Sequence, residues 1–245
     1  GHGVAAGSTT VLSGSSASTN GGPILIESGS GATEGGTVSI VGGRGDQGLG
    51  GAASLLGGSG DEFFDGNEGL DSIILDGDLE DFAIIQTVDG TIRVTGPEDE
   101  YTLLNVERLE FANGVLGYDI DGNAGQAYRL YQAALGRAPD TEGLGYWIDD
   151  LDQSVGEIVW LAANFLYSDE FTQRFGDASL KNDLELLYSF YDIAFDRAPD
   201  EAGLNYWLDQ LSEGMSREKV LASFSESTEN KENLSVAMDA GIWFV

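Results

Sequence analysis

The rhythm of apolar and polar positions changes twice along this chain. Up to about residue 60, short β-prone or small apolar runs (TTVL, PILI, TVSIV, AASLL) lie in segments opened by Gly7, Gly22, Gly36 and Gly51, spaced 15, 14 and 15 residues apart. Glycine-rich turns alternating with short strands at a fixed period predict a β-solenoid, in which stacked turns bury the Ile, Leu and Val that one turn cannot. A Gly/Ser linker would carry no such register. From Asp61 to about Gly122, β-prone runs between acidic turns predict strands over Ser72 to Leu75, Phe82 to Val88 and Thr91 to Thr95, with Asp89 and Gly90 as a hairpin turn. Tyr101 to Phe111 alternates apolar Leu104, Val106 and Leu109 with polar Asn105 and Glu107, predicting further strand.

Beyond Gly122 the period becomes helical, and a segment returns with an offset of 60 residues: RAPDTEGLGYWIDDL at Arg137 and RAPDEAGLNYWLDQL at Arg197. Upstream, Tyr128, Tyr131, Ala134 and Leu135 return as Tyr188, Tyr191, Ala194 and Phe195, one face of a helix. Pro139 and Pro199 are expected to stop that helix, and Asp140 and Asp200 to cap the next by accepting its free N–H groups. Gly143 and Gly203 would permit close helix approach. Trp147, Trp207, Leu144, Leu204, Leu151 and Leu211 make an inward stripe. The box from Ser154 to Glu157, and Ser216 in the second unit, then open a further apolar helix. The predicted class is multidomain β plus α. A Gly-rich β-solenoid spans residues 1–60, a roll with a strand tail spans 61–122, and an all-α domain of two repeated helical modules spans about 123–182 and 183–245.

Composition narrows the chemistry. Of 36 glycines, 19 fall in the first 60 residues, whereas only three of the 42 acids do, which independently places a boundary near residue 60. With 11 basic residues the net charge is −31, so nucleic acid and anionic membranes are poor partners and divalent cations the natural counter-charge. There is no Cys, and the one His, His2, stands in the Gly-rich leader. Thiolate or zinc sites, haem and Cys–His or Ser–His nucleophile chemistry are therefore not expected. No phosphate-cradling glycine loop of the G-x-x-x-x-G-K type occurs, and no run of 18 apolar residues predicts a membrane span. The chain opens GHG without Met and without a basic-then-apolar leader, which reads as a cut fragment.

Between these regions stand two nonapeptides, GGSGDEFFD from Gly57 to Asp65 and GNEGLDSII from Gly66 to Ile74, close to G-G-x-G-x-D-x-U-x. In that pattern glycines allow tight turns, acids and turn carbonyls supply hard oxygens, and a large apolar residue plugs the interior, a calcium-binding turn. A fading third unit, LDGDLEDFA from Leu75, adds Asp76 and Asp78. The candidate calcium ligands are Asp71 foremost, then Asp61, Glu62, Asp65, Asp76 and Asp78. DIDGN, from Asp119 to Asn123, begins like an EF-hand loop but has no acid at position twelve, and reads as a linker turn. Trp147 and Trp207 would stack on sugar rings if exposed, although their helical spacing favours the core.

Gly57 to Ile74 resemble the RTX, or haemolysin-type, calcium-binding repeat, and NVERLEFANG from Asn105 resembles the tail that commonly follows it. The segments from Tyr128 and Tyr188 resemble the domain-of-unknown-function family 4214, with its helix, R-x-P-D-x-x-G-L-x-Y-W, then another helix. The resemblance implies a secreted bacterial protein, exported by a type I system that reads an uncleaved C-terminal signal, and GIWFV closes an apolar terminus of that kind. The function it implies is a non-catalytic, calcium-stabilised extracellular or cell-surface structural or adhesive protein that self-assembles through solenoid ends. The alternatives are a cell-surface polysaccharide-binding module and the C-terminal carrier region of an extracellular hydrolase. Expected partners are calcium, the protein itself or a polysaccharide, with no nucleic acid and no membrane insertion.

Overall fold

The computed structural model describes residues 61–66, 69–97, 100–153 and 158–245, the side chains of Asp61 and Glu62 excepted. The expected solenoid over 1–60 and the box from Ser154 to Glu157 lie outside the described residues. The chain divides into two compact units, Gly1–Tyr118 and Asp119–Val245. Strands in two small sheets precede eight helices, a mixed β plus α class. Among the described residues no helix is long and apolar enough to cross a membrane.

In the first unit β1 (Asp61–Asp65), β3 (Ala83–Gln86), β4 (Ile92–Thr95) and β5 (Glu100–Leu104) form one sheet in the order β1-β5-β4-β3. A second sheet takes β2 (Ser72–Ile74), β6 (Arg108–Phe111) and β7 (Gly114–Gly117) in that order. The pairs β1–β5 and β2–β6 are parallel, and β3–β4, β4–β5 and β6–β7 antiparallel. The chain thus crosses between sheets three times, from β1 to β2, back from β2 to β3, and from β5 to β6, and the last crossing lies on the first. Gly66 N–H donates to the Leu104 carbonyl at 3.0 Å, and the Asp71 carbonyl accepts from Glu107 N–H at 3.1 Å and Arg108 N–H at 3.0 Å. Phe64, Ile73, Val94, Leu103 and Leu109 form the buried core of this unit.

The β3–β4 hairpin turns at the expected Asp-Gly pair. Gly90 takes φ 87°, a left-handed conformation that glycine adopts at no steric cost, and Thr87 N–H donates to the Thr91 carbonyl at 2.8 Å. The alternation predicted from Tyr101 to Phe111 is not one strand. Asn105 takes φ 50°, breaks the ladder, and sends Leu103 and Leu109 into different sheets.

The second unit comprises α1 (Asn123–Leu135), α2 (Thr141–Gln153), α3 (Ile158–Leu166), α4 (Asp169–Phe175), α5 (Asp183–Phe195), α6 (Glu201–Ser212), α7 (Arg217–Ser225), α8 (Thr228–Met238) and β8 (Ile242–Phe244). Helix α1 is central, with α2, α3, α4, α5, α7 and α8 against it. Its Ala124, Ala127, Leu130, Ala133 and Ala134 are wholly buried, small residues that let six helices approach.

Two expectations need correction. Pro139 and Pro199 do not end their helices: α1 stops at Gly136 (φ 62°) and α5 at Asp196 (φ 52°), each in the left-handed conformation that closes a helix, three residues earlier. The inward stripe is also unequal. Leu144, Ile148 and Leu151 on α2 are buried, whereas α6 buries no residue and Leu204, Trp207 and Leu211 are half-buried. Helix α2 packs on α1, α3 and the C-terminal strand, which lies along it with Val245 N–H donating to the Thr141 carbonyl at 3.2 Å, whereas α6 packs chiefly on α5. A side chain at Gly145 would collide with the Val245 carbonyl, and the position matching it in α6 is Asn205.

Candidate functional site

The repeated RAPD segment builds the same lock twice. In the first, the Arg137 fork clasps Glu170 of α4, Nε to Oε1 at 2.6 Å and Nη2 to Oε2 at 2.9 Å, while its guanidinium lies 5.1 Å from the centre of the Tyr131 ring. In the second, Arg197 clasps Glu229 of α8 at 2.8 and 2.7 Å and lies 5.1 Å from the Tyr191 ring. Planar, two-pronged pairing of this kind fixes orientation as well as charge. Asp140 accepts the Gly143 N–H and Asp200 the Gly203 N–H, both at 2.8 Å, capping α2 and α6.

The glycines serve the tyrosines. A Cβ at Gly143 would stand 2.5 Å from the Tyr131 hydroxyl, and one at Gly203 would strike the Tyr191 hydroxyl. The side chains of Trp147 and Trp207 stand close to those same hydroxyls. Behind them Phe165 meets Tyr131 edge-on at 4.7 Å and Phe224 meets Tyr191 at 4.9 Å. Arg, Asp, Gly and Trp of the segment therefore all hold helices together.

Electrostatics follows this geometry. Burial, with Asp140 close by, pushes the Tyr131 hydroxyl up to about 12, and burial raises Tyr191 as well. The hydrogen bonds from Arg137 and Arg197 hold Glu170 and Glu229 below the usual carboxylate range, and the Gly143 N–H lowers Asp140. The sequence reading did not find Glu170 or Glu229, which lie 33 and 32 residues beyond their arginines. A local signal was present: Ser168 and Ser227 cap α4 and α8 by accepting from Phe171 and Asn230, and each stands two residues before its Glu.

A second anchor was also missed. Arg129, 1 % exposed inside α1, donates through Nε and Nη2 to Glu226 at 2.8 and 2.7 Å and through Nη1 to the Ile120 carbonyl. Lys231 on α8 pairs with Asp121 at 3.1 Å. DIDGN forms a turn that leads into α1, where the buried Asp119 carboxylate accepts the Ala124 N–H at 2.9 Å.

Of the candidate calcium ligands, Asp71 is sealed from solvent at the first crossing. Its N–H donates to the Glu107 carboxylate at 3.0 Å, and a Cβ at Gly66 would stand 2.8 Å from its own Cβ. Asp65, at the end of β1, is half-buried and accepts from the Asn105 amide at 2.7 Å. Asp61 and Glu62 lie in β1, their side chains outside the description. Asp76 and Asp78 are exposed, and Asp78 opens a short 3-10 turn in which its N–H donates to Asp81 at 3.0 Å. Among the described residues no three or more of His, Cys, Asp and Glu are grouped to hold a metal. Asp71 and Glu107 are thus brought to one crossing, and Asp76 and Asp78 to a separate turn.

Trp147 and Trp207 are half-buried. The exposed rings of the RAPD segments are their neighbours, Tyr146 at 63 % and Tyr206 at 53 %, set edge-on to the indoles at 4.8 and 4.9 Å. Trp160 on α3, 47 % exposed, lies 6.1 Å from Trp147.

No curated protein and no solved structure matches the chain. A family described as "Domain of unknown function (DUF4214)" matches residues 162–234, from within α3 to within α8, and so takes in the whole second lock from Tyr191 to Glu229. The chain carries a DUF4214 domain at residues 162–234.

Proposed function

We propose that this chain is a non-catalytic structural protein of a bacterial exterior, exported by a type I system and stabilised by calcium bound in its first unit. One observation carries the reading: β1 pairs with β5 and β2 with β6, both in parallel, with the Asp71 carboxylate buried where the chain passes from β1 to β2. Parallel stacked strands with an inward acid at a glycine-opened crossing are what a calcium-binding roll requires. Asp71 and the turn carbonyls beside it would supply hard oxygens, with Asp61, Glu62 and Asp65 completing the set. The ion would neutralise carboxylates in a chain of net charge −31, so binding and folding would be coupled. The helical unit supports an architectural role, since the repeated polar residues of both locks serve its own packing.

The test is thermal unfolding of the intact chain in EGTA, magnesium and calcium. Calcium alone should raise the transition of the β unit, by about 2.7 kcal/mol when free ion is a hundredfold above its dissociation constant. Asp71→Ala should abolish most of that gain. Equal curves in the three buffers would refute the reading.

A second reading draws on the exposed rings. Tyr146 and Trp160 offer apolar faces to a polysaccharide, with the carboxylates of α2 available to its hydroxyls. Trp160→Ala and Tyr146→Ala should then lose retention on a glycan column with the fold intact.

A further inference from the structure

The two RAPD segments differ in what covers the helix before them. In the first, Ala124 on α1 is wholly buried, Arg129 pairs with Glu226, and Asp121 pairs with Lys231, so that α7 and α8 lie against α1. Sixty residues on, the matching positions are open. Leu184 stands for Ala124 and is 45 % exposed, Tyr188 stands for Tyr128 and is 47 % exposed, and Leu180 stands for Ile120 and is 84 % exposed. A shallow recess of about 480 Å³, lined by Lys181, Leu184, Glu185 and Tyr188, opens there on α5. At one of these positions a large apolar residue, Leu184, stands in place of a small one, and the described residues leave it half exposed.

The ion pairs that seal α1 cannot recur at this place. Lys181 occupies the position of Asp121 and Ser189 that of Arg129. The patch instead carries one cation and one anion of its own, Lys181 and Glu185, four residues apart with Leu184 between them. A strip of that composition is complementary to itself when reversed. Turned about a two-fold axis close to Leu184, a second copy brings Leu184 and Tyr188 against the same apolar patch and each Lys181 towards the other copy's Glu185. Two-fold contacts are self-matching by construction, and cyclic dimers are the commonest protein assemblies.

We propose that the face formed by Leu180 and Lys181, just before α5, with Leu184, Glu185 and Tyr188 on it, is a homodimer interface, closed by reciprocal Lys181–Glu185 pairs around an apolar centre. The net charge of −31 opposes the approach of two copies. The few apolar groups available make the contact weak, with a dissociation constant on the order of 100 µM. This surface includes none of the residues proposed to take calcium, so the two readings stand or fall separately.

Sedimentation velocity of the intact chain in EGTA, from about 5 to about 500 µM, tests it. The expected result is a reversible monomer–dimer equilibrium. Leu184→Lys, at a side chain already half in solvent, should weaken it at least roughly tenfold and leave the helical melting curve unchanged. Lys181→Glu and Glu185→Lys should each weaken it about fivefold. Mixed in equal amounts, these two variants should recover wild-type association, because the heterodimer restores both pairs. Since Glu185 also accepts the Asn182 N–H at the start of α5, circular dichroism is recorded for each variant to separate folding from association. A chain monomeric throughout, a dimer indifferent to Leu184→Lys, or a mixture no stronger than its parts would each overturn the proposal.

Discussion

Replacing Gly143 by Ala tests the lock directly, because the new methyl would be set 2.5 Å from the Tyr131 hydroxyl and 2.7 Å from Asp140 Oδ1. A carbon–oxygen contact relaxes only at about 3.3 Å, so some group must retreat by about 0.8 Å. The tyrosine has little freedom to do so. Its ring is held edge-on by Phe165 at 4.7 Å and covered by Arg137 at 5.1 Å. Overpacking of this kind costs about 1–3 kcal/mol, against at most about 1 kcal/mol gained from Ala over Gly in a helix. A net loss of about 1–2 kcal/mol is expected.

Tyr131→Phe alone should cost about 1 kcal/mol, the scale of one lost hydrogen-bonding group. It also removes the nearer obstacle, while the contact with the Asp140 carboxylate that caps α2 remains. In that background Gly143→Ala should therefore cost less than in the wild type, giving a coupling of about 1 kcal/mol in the double-mutant cycle. The assay is urea unfolding of the four chains followed at the helical circular-dichroism band, which reports the second unit because the α-helices described are all there. Additive losses, or a stabilising Gly143→Ala in the wild-type background, would refute the interlocking of Gly143 and Tyr131.

Other expectations follow from single residues. Asp196→Gly should stabilise the helical unit by about 0.5 kcal/mol and Gly136→Ala destabilise it by about 1 kcal/mol, because both positions are left-handed, at φ 52° and 62°; chemical melts would show it. Asp200→Ala should cost about 1 kcal/mol through the lost cap on Gly203, measured in the same way. Tyr131 keeps its proton to about 12 in the folded chain against an ordinary 10, so its contribution is complete below pH 10 and lost as pH rises towards 12; Tyr131→Phe should flatten the alkaline limb of stability against pH. At the acid end, the depressed Glu170 and Glu229 stabilise above their ordinary 4.5 and lose that contribution as pH falls through their folded values, so Glu170→Gln should shallow the acid limb.

Much of this fold could be read locally, and what could not is long-range. The boundary between β and α regions, the Asp-Gly hairpin and the helices around each RAPD segment follow from periods and turn residues that act within a few positions. The break at Asn105 was hidden because Leu104, Val106 and Leu109 mimic alternation, whereas the chain turns at a left-handed asparagine and passes to another sheet. The prolines looked like helix stops, yet hydrogen bonds close α1 and α5 earlier, through the N–H of Gly136 to Gln132 and of Asp196 to Asp192. Glu170, Glu229 and Glu226 carry no local mark of the arginines they meet.

The unequal fate of two nearly identical segments shows what tertiary context adds. GLGYW and GLNYW differ at one place, Gly145 against Asn205. Only the glycine admits the carbonyl of Val245, and with it the strand from Ile242 to Phe244 that lies along α2. Position 124 shows the same dependence: Ala is buried under neighbouring helices, whereas Leu184 is left at the surface with Lys181 and Glu185 beside it. Repetition in sequence therefore fixes the internal lock of each segment, while single departures from it decide which faces are closed within the chain and which are left for a partner.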